Sequence, residues 1–164
     1  MPSHPPFAEL VSVMAKLRAP DGCPWDREQT HQTLKPYLLE EAYEVLEAID
    51  DDRSSDLCSE LGDVLLQVVF HAQVASEDER FSIDDVCQAI VDKLIRRHPH
   101  VFGDTAVDGS DEVVTNWEAI KKAERQSAQE TDPSALDGVP RQLPALLRAQ
   151  RVQEKARRSG FDWQ

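Results

Sequence analysis

Glycine and aromatic side chains are scarce in this chain, with six glycines and an aromatic share of 6% in 164 residues. Alternation of polar and apolar residues is missing too, which leaves helices joined by loops as the natural reading. No apolar run approaches the roughly 20 residues of a membrane-spanning helix. The longest, Val64 to Phe70, is broken by Gln67. The N-terminus, MPSHPPFAEL, lacks the basic and apolar regions of a signal peptide. Cys23, Cys58 and Cys87 are odd in number, widely spaced and form no CxxC pattern. They read as free thiols of a reducing cytoplasm, not as a disulfide framework or a zinc knuckle. Basic charge is also short: 18 Lys and Arg face 31 Asp and Glu, for a net charge of -13. That balance excludes long nucleic acid as a natural partner, because such binding rests on neutralising many phosphates. A small anion reached through a bridging metal stays compatible.

What is present suits one globular domain with a real core: 40% apolar and 30% charged residues. The charge is uneven. Residues 40–63 hold ten acidic side chains and one Arg, whereas residues 141–158 hold six basic side chains and one Glu. Periodicity predicts a first helix over Phe7–Leu17 and a loop over Arg18–Gln29, where Pro20, Gly22 and Pro24 fall. A helix over Pro36–Asp50 tolerates Pro36 in its first turn. The run Asp50-Asp51-Asp52 opposes the helix dipole, so the chain should turn there. A long helix should follow from an N-cap at Ser54 or Ser55 to about Ser76, then another from Ser82 that ends before Pro99. A further one is expected from about Ser110 to Arg125, and a last one from Pro144 to Gly160. The expected division is a domain over 1–128, a linker over 129–142 and a basic C-terminal helix over 143–164.

Two acidic signatures carry the chemistry. Glu40-Glu41-Ala42-Tyr43-Glu44 is followed by Glu60-Leu61-Gly62-Asp63 after a fifteen-residue gap. With about 100° per residue, Glu44 and Glu41 lie about 40° and 100° from Glu40, away from the arc of Leu39, Ala42, Val45, Leu46 and Ile49. On the next helix Glu60, Asp63, Gln67 and Asp56 share one face, beside the apolar arc of Leu57, Leu61, Val64, Leu65, Val68 and Val69. The two acidic faces can therefore meet along the edge of one apolar seam. Carboxylates so gathered repel one another and call for a cation. Oxygen donors without His or Cys suit Mg2+, with Mn2+ as a substitute, and magnesium is commonly shared with substrate phosphates. A solvated acidic helix face is the bland alternative; the recurrence of the pattern on adjoining helices favours the metal.

These residues resemble the MazG-type nucleoside triphosphate pyrophosphohydrolases, whose mark is EExxE followed by ExxD. The likeness extends to Cys23-Pro24-Trp25-Asp26, to Arg96-Arg97-His98-Pro99-His100-Val101-Phe102 and to Asn116-Trp117-Glu118 with Lys121. It continues through Leu143-Pro144-Ala145-Leu146-Leu147-Arg148-Ala149-Gln150 and Gly160-Phe161-Asp162-Trp163, and so covers nearly the whole chain. The resemblance implies an all-α helical bundle and Mg2+-dependent hydrolysis of a nucleoside triphosphate to monophosphate and pyrophosphate, a nucleotide-pool cleaning role. It also implies metal ligation and catalysis by Glu41, Glu44, Glu60 and Asp63, with Glu40 in or beside the shell. Lys93 with Arg97, and Trp117 with Lys121, would meet the substrate. Some family domains place a Lys four residues before the ExxD glutamate, where this chain has Asp56, which removes one positive partner for the phosphates. Many relatives hold two such domains in tandem, and this chain stops where the connection to a second would begin.

Two broad amphipathic helices rarely bury themselves alone, so a four-helix core completed in a homodimer or higher homo-oligomer is expected. No membrane partner is expected. The narrower alternatives are a pyrophosphatase for deoxyuridine or deoxycytidine triphosphate, or for phosphoribosyl-ATP. The non-enzyme alternative is a helical dimer that senses nucleotides or docks a protein through its basic C-terminal helix. Trp25 reads as a loop anchor, His98 and His100 as helix-end packing, and His71 as a partly buried core residue.

Overall fold

The computed structural model of the protein describes residues 5–128, 136–158 and 160–161, the side chains of Lys122 and of residues 125–128 excepted. These residues form α1 (Pro6–Arg18), α2 (Pro24–Glu28), α3 (Lys35–Asp50), α4 (Ser54–Glu77), α5 (Ile83–Arg97), α6 (Pro99–Phe102), α7 (Ser110–Ala128) and α8 (Ala145–Arg158), with no strand among them. The all-α expectation holds. Two compact units divide within the last turn of α5: Met1–Leu94 and Ile95–Gln164. Of the expected linker, residues 129–135 lie outside the described residues, as do Asp162 and Trp163.

The long helices match the sequence periodicity to within a few residues. Two short ones do not appear in it. α2 forms inside the stretch expected to be loop, and α6 follows α5 at once; each opens with a proline, Pro24 or Pro99, in its first turn. Proline is disruptive only deeper in a helix, so these punctuation marks start a helix here instead of preventing one. The expected Ser54 or Ser55 cap also fails. Arg53 occupies the N-cap of α4 without a side-chain cap bond, and both serines are helical. The start of α5 behaves as its sequence suggests. The Ser82 amide donates to Asp85 Oδ2 at 2.8 Å, and the Asp85 amide donates to Ser82 Oγ at 3.3 Å, a reciprocal capping box.

Helix ends are closed by left-handed residues. Asp52 (φ 52) and Glu79 (φ 55) end α3 and α4, while Gly160 (φ 85) ends α8. In each case the amide three positions past the last helical residue bonds back to the last turn, as in Arg53 N to Ala48 O at 3.1 Å and Phe161 N to Ala156 O at 3.0 Å. The predicted turn at Asp50–Asp52 is thus made by Asp52 itself. Gly22 serves another need. A Cβ there would lie 2.2 Å from the Leu17 carbonyl oxygen.

In the first unit α3 packs along α4, and α1 packs on both α4 and α2. Met14, Leu34, Val69, Phe70 and Val74 make the buried centre, with Leu10, Val11, Leu17, Leu66 and Ile83 against it. Arg18 ties the layer together. Its guanidinium donates to both Glu77 carboxylate oxygens and to the carbonyls of Asp26 and Gln29, and it lies 5.5 Å above the Phe70 ring. The α3–α4 seam is less covered than its apolar arcs suggest: Leu39, Leu46, Ile49 and Leu61 each remain more than half exposed.

In the second unit Arg96 and Arg97 converge on Glu124, with closest approaches of 2.7 and 2.6 Å. Arg158 reaches Glu118 at 3.2 Å. The His98 ring meets the edge of Trp117 at 5.1 Å.

Candidate metal centre

The hairpin of α3 and α4 runs antiparallel through the Asp51–Arg53 turn, so each step up one helix is met by a step down the other. That register delivers Glu41 to Glu60 and Asp63. One carboxylate oxygen from each of the three lies within 4.8 Å of the others, and all three residues are half-buried. Glu44, one turn beyond Glu41, is exposed, and its carboxylate acts on both Glu41 and Glu60. Glu40 is exposed and adds its charge to the field at Glu41. Of the five acids that the two signatures single out, the structure gathers Glu41, Glu60 and Asp63, and it leaves Glu44 and Glu40 exposed beside them.

Burial and mutual repulsion both raise the proton affinity of two of these acids. Burial first, then the charges of Asp63, Glu44, Glu60 and Glu40, pushes the Glu41 carboxyl above the usual range. Burial also raises Glu60, followed by the neighbouring Glu44 carboxylate and the charges of Asp63 and Asp56. Both shifts disfavour the charged form, as expected where like charges converge without a counter-ion. The donor set consists of hard oxygens alone, and it fits a divalent cation of the magnesium type.

Asp56 adds to the negative field at Glu60 instead of relieving it. Arg53 holds it at 2.5 Å, while also reaching Asp51 at 2.9 Å. Lys93 is exposed and forms no ion pair among the described residues. In the second unit Arg97 is engaged by Glu124, and Lys121 lies 3.0 Å from Glu118 on the preceding turn. The Trp117 ring is half-buried, and its Nε1 is buried without a hydrogen-bond partner. Trp25 is half exposed and meets the edge of Tyr37 at 5.8 Å, in keeping with a loop anchor.

Two polar features near the cluster are poorly legible in sequence. His71 does not stand alone: its Nδ1 lies 2.8 Å from His31 Nδ1, with the rings stacked. Arg80 donates to His31 Nε2 at 2.6 Å, so His31 must carry its proton on Nδ1 and pass that hydrogen bond to His71. His31 lies in the turn before α3, so the pairing depends on how that segment returns to α4. The second feature is Gln67. Its place on the acidic face of α4 follows from helical spacing, but its burial to 6% exposure does not.

Residues 29–102 match the family described as the MazG nucleotide pyrophosphohydrolase domain. An Escherichia coli K12 protein named nucleoside triphosphate pyrophosphohydrolase is 56% identical over 155 residues, covering 94% of this chain and 58% of that protein. A Thermotoga maritima protein named nucleoside triphosphate pyrophosphohydrolase/pyrophosphatase MazG is 51% identical over 157 residues, covering 96% of this chain and 59% of that protein. This chain thus spans under two thirds of the length of either relative. The crystal structure of a mazG-related protein from Thermotoga maritima is similar at a TM-score of 0.59 and 28% identity, covering 70% of this chain and 98% of that one.

Proposed function

The chain belongs to the MazG family, and from that premise we propose that it hydrolyses nucleoside triphosphates to a monophosphate and pyrophosphate with a divalent cation, Mg2+ in the cell. The observation that carries this reading is the meeting of carboxylate oxygens from Glu41, Glu60 and Asp63 within 4.8 Å. Glu41, Glu44, Glu60 and Asp63 would hold the ion, with Glu40 beside them. A bound magnesium ion supplies the positive charge that lets a triphosphate approach an anionic face and that offsets charge on the departing pyrophosphate.

The rest falls to the chain. A carboxylate of the cluster left free of the ion orients the attacking water or takes its proton, a role suited to a group whose affinity for protons is raised, as it is for Glu41 and Glu60. Half-burial of the cluster limits competing water. By resemblance, Lys93 and Arg97 contribute positive charge to the phosphates, and Trp117 with Lys121 contacts the nucleotide.

We further propose that the α3–α4 seam is closed by a second copy of this chain. Leu39, Tyr43, Leu46, Ile49 and Leu61 are each half exposed or more on two adjoining helices, an apolar surface that water alone covers poorly. The three cysteines are free, which supports a reducing compartment such as the cytoplasm. No helix among the described residues is long and apolar enough to cross a membrane.

A panel of triphosphates incubated with Mg2+, with products separated by chromatography, tests the activity. Monophosphate and pyrophosphate are expected; orthophosphate release would contradict the assignment. One observation favours a second reading: Asp56 intensifies the negative field at Glu60. Binding without turnover across the panel would support a nucleotide sensor on the same fold.

A further inference from the structure

Gln67 lies one helical turn beyond Asp63 on α4 and is only 6% exposed, the one polar residue buried as a whole among the described residues. Its Oε1 is sealed from solvent and has no hydrogen-bond partner. An amide carbonyl buried in this way loses its bonds to water and regains nothing, so it weakens the resting fold. Side chains on a helix lean toward the N-terminus, over the turn before their own Cα. For Gln67 that turn holds Asp63, with Glu60 beyond it. The carboxylates there cannot answer the orphan, because ionised carboxylates only accept hydrogen bonds. His71, one turn further on, turns its Nδ1 to His31. The donor that this acceptor lacks can be supplied by whatever the acidic cluster binds. A magnesium-type ion keeps several of its waters, and each of those waters carries hydrogens that need acceptors.

We propose that Gln67 is a positioning residue of the cation site, its carbonyl accepting a hydrogen bond from a water in the ion's shell. This rests on the reading of the acidic cluster as a cation site. Gln67 then fixes the orientation of the shell without touching the ion.

The test uses the full chain without nucleotide and two variants. Gln67→Met keeps the volume and removes the acceptor; Gln67→Glu keeps an acceptor. Mn2+ binding is followed through the electron paramagnetic resonance of the free ion, and thermal unfolding is recorded without metal. Gln67→Met should bind Mn2+ about tenfold more weakly, in the range expected for supporting groups around a metal, while its metal-free midpoint holds or rises. Gln67→Glu should bind at least as tightly as the unaltered chain. Equal Mn2+ affinity in Gln67→Met overturns the inference and leaves the cluster reading standing. Failure of the unaltered chain to bind Mn2+ overturns both. Should Gln67→Met not fold, Gln67→Glu decides alone, since lost affinity there, with acceptor and negative charge both present, also overturns it.

Discussion

Glu41→Gln removes one negative charge and almost no volume from a cluster whose oxygens lie within 4.8 Å. At that separation two unit charges repel by about 0.9 kcal/mol in water and about 3.5 kcal/mol at an effective dielectric constant near 20. The cluster is only half-buried, so screening favours the lower figure. Relief of about 1 kcal/mol is expected in the metal-free protein, a rise of roughly 2–4 °C in the unfolding midpoint for a chain of this size. Saturating Mg2+ should reverse the order. An ion at a hundred times its dissociation constant stabilises the folded state by about 2.7 kcal/mol, and the variant should forfeit most of that together with its turnover. Thermal unfolding in chelator and in Mg2+, paired with pyrophosphate release, measures both halves. A lower metal-free midpoint with an unchanged Mg2+ response and full activity would refute the reasoning, because the acids would then neither repel one another nor share an ion.

Four further outcomes are expected. Burial, then the neighbouring His31, lowers His71 from its ordinary 6.5; the unfolded chain thus takes up a proton that the folded one refuses, and stability falls as the pH drops below about 6.5. Urea unfolding at several pH values should show this loss, and His71→Phe should flatten it. Hydrogen bonds from Arg97 and then Arg96 hold Glu124 at about 2, below its ordinary 4.5, so its contribution is present above 4.5 and disappears between 4.5 and about 2; Glu124→Gln should remove that acid-side loss. Glu79 sits at φ 55, and Glu79→Gly should stabilise the protein by roughly 0.5–1 kcal/mol in denaturant titration, since glycine enters that region without strain. Leu46→Asp should shift the chain to a smaller mass in light scattering if a second copy closes the seam, and an unchanged mass would remove Leu46 from any interface.

The acids were legible because a helix repeats. Glu41 and Glu44 lie a turn apart, as do Glu60 and Asp63, and a short acidic turn between two amphipathic segments leaves little choice but an antiparallel pair. The all-α architecture followed from the same periodicity. Contacts between distant parts of the chain were not legible in this way. The His31–His71 pair and the ties of Arg18 to Asp26, Gln29 and Glu77 depend on how loops return, and local pattern carries no trace of that. α2 and α6 are not legible because Pro24 and Pro99, a residue type that breaks helices elsewhere, stand at first-turn positions. Gln67 was placed on the correct face, but the depth to which that face sinks is set by neighbours from other helices.

Arg18 has a consequence for motion. Its side chain is 7% exposed, and its donors are spread over the end of α4, through Glu77, and the backbone around α2. Lysine lacks the planar fork and the number of N–H groups needed to hold all these acceptors at once. The Trp25 segment and the end of α4 consequently share this latch. The two should open in a single step, and the amides of both stretches should exchange hydrogen at a common rate.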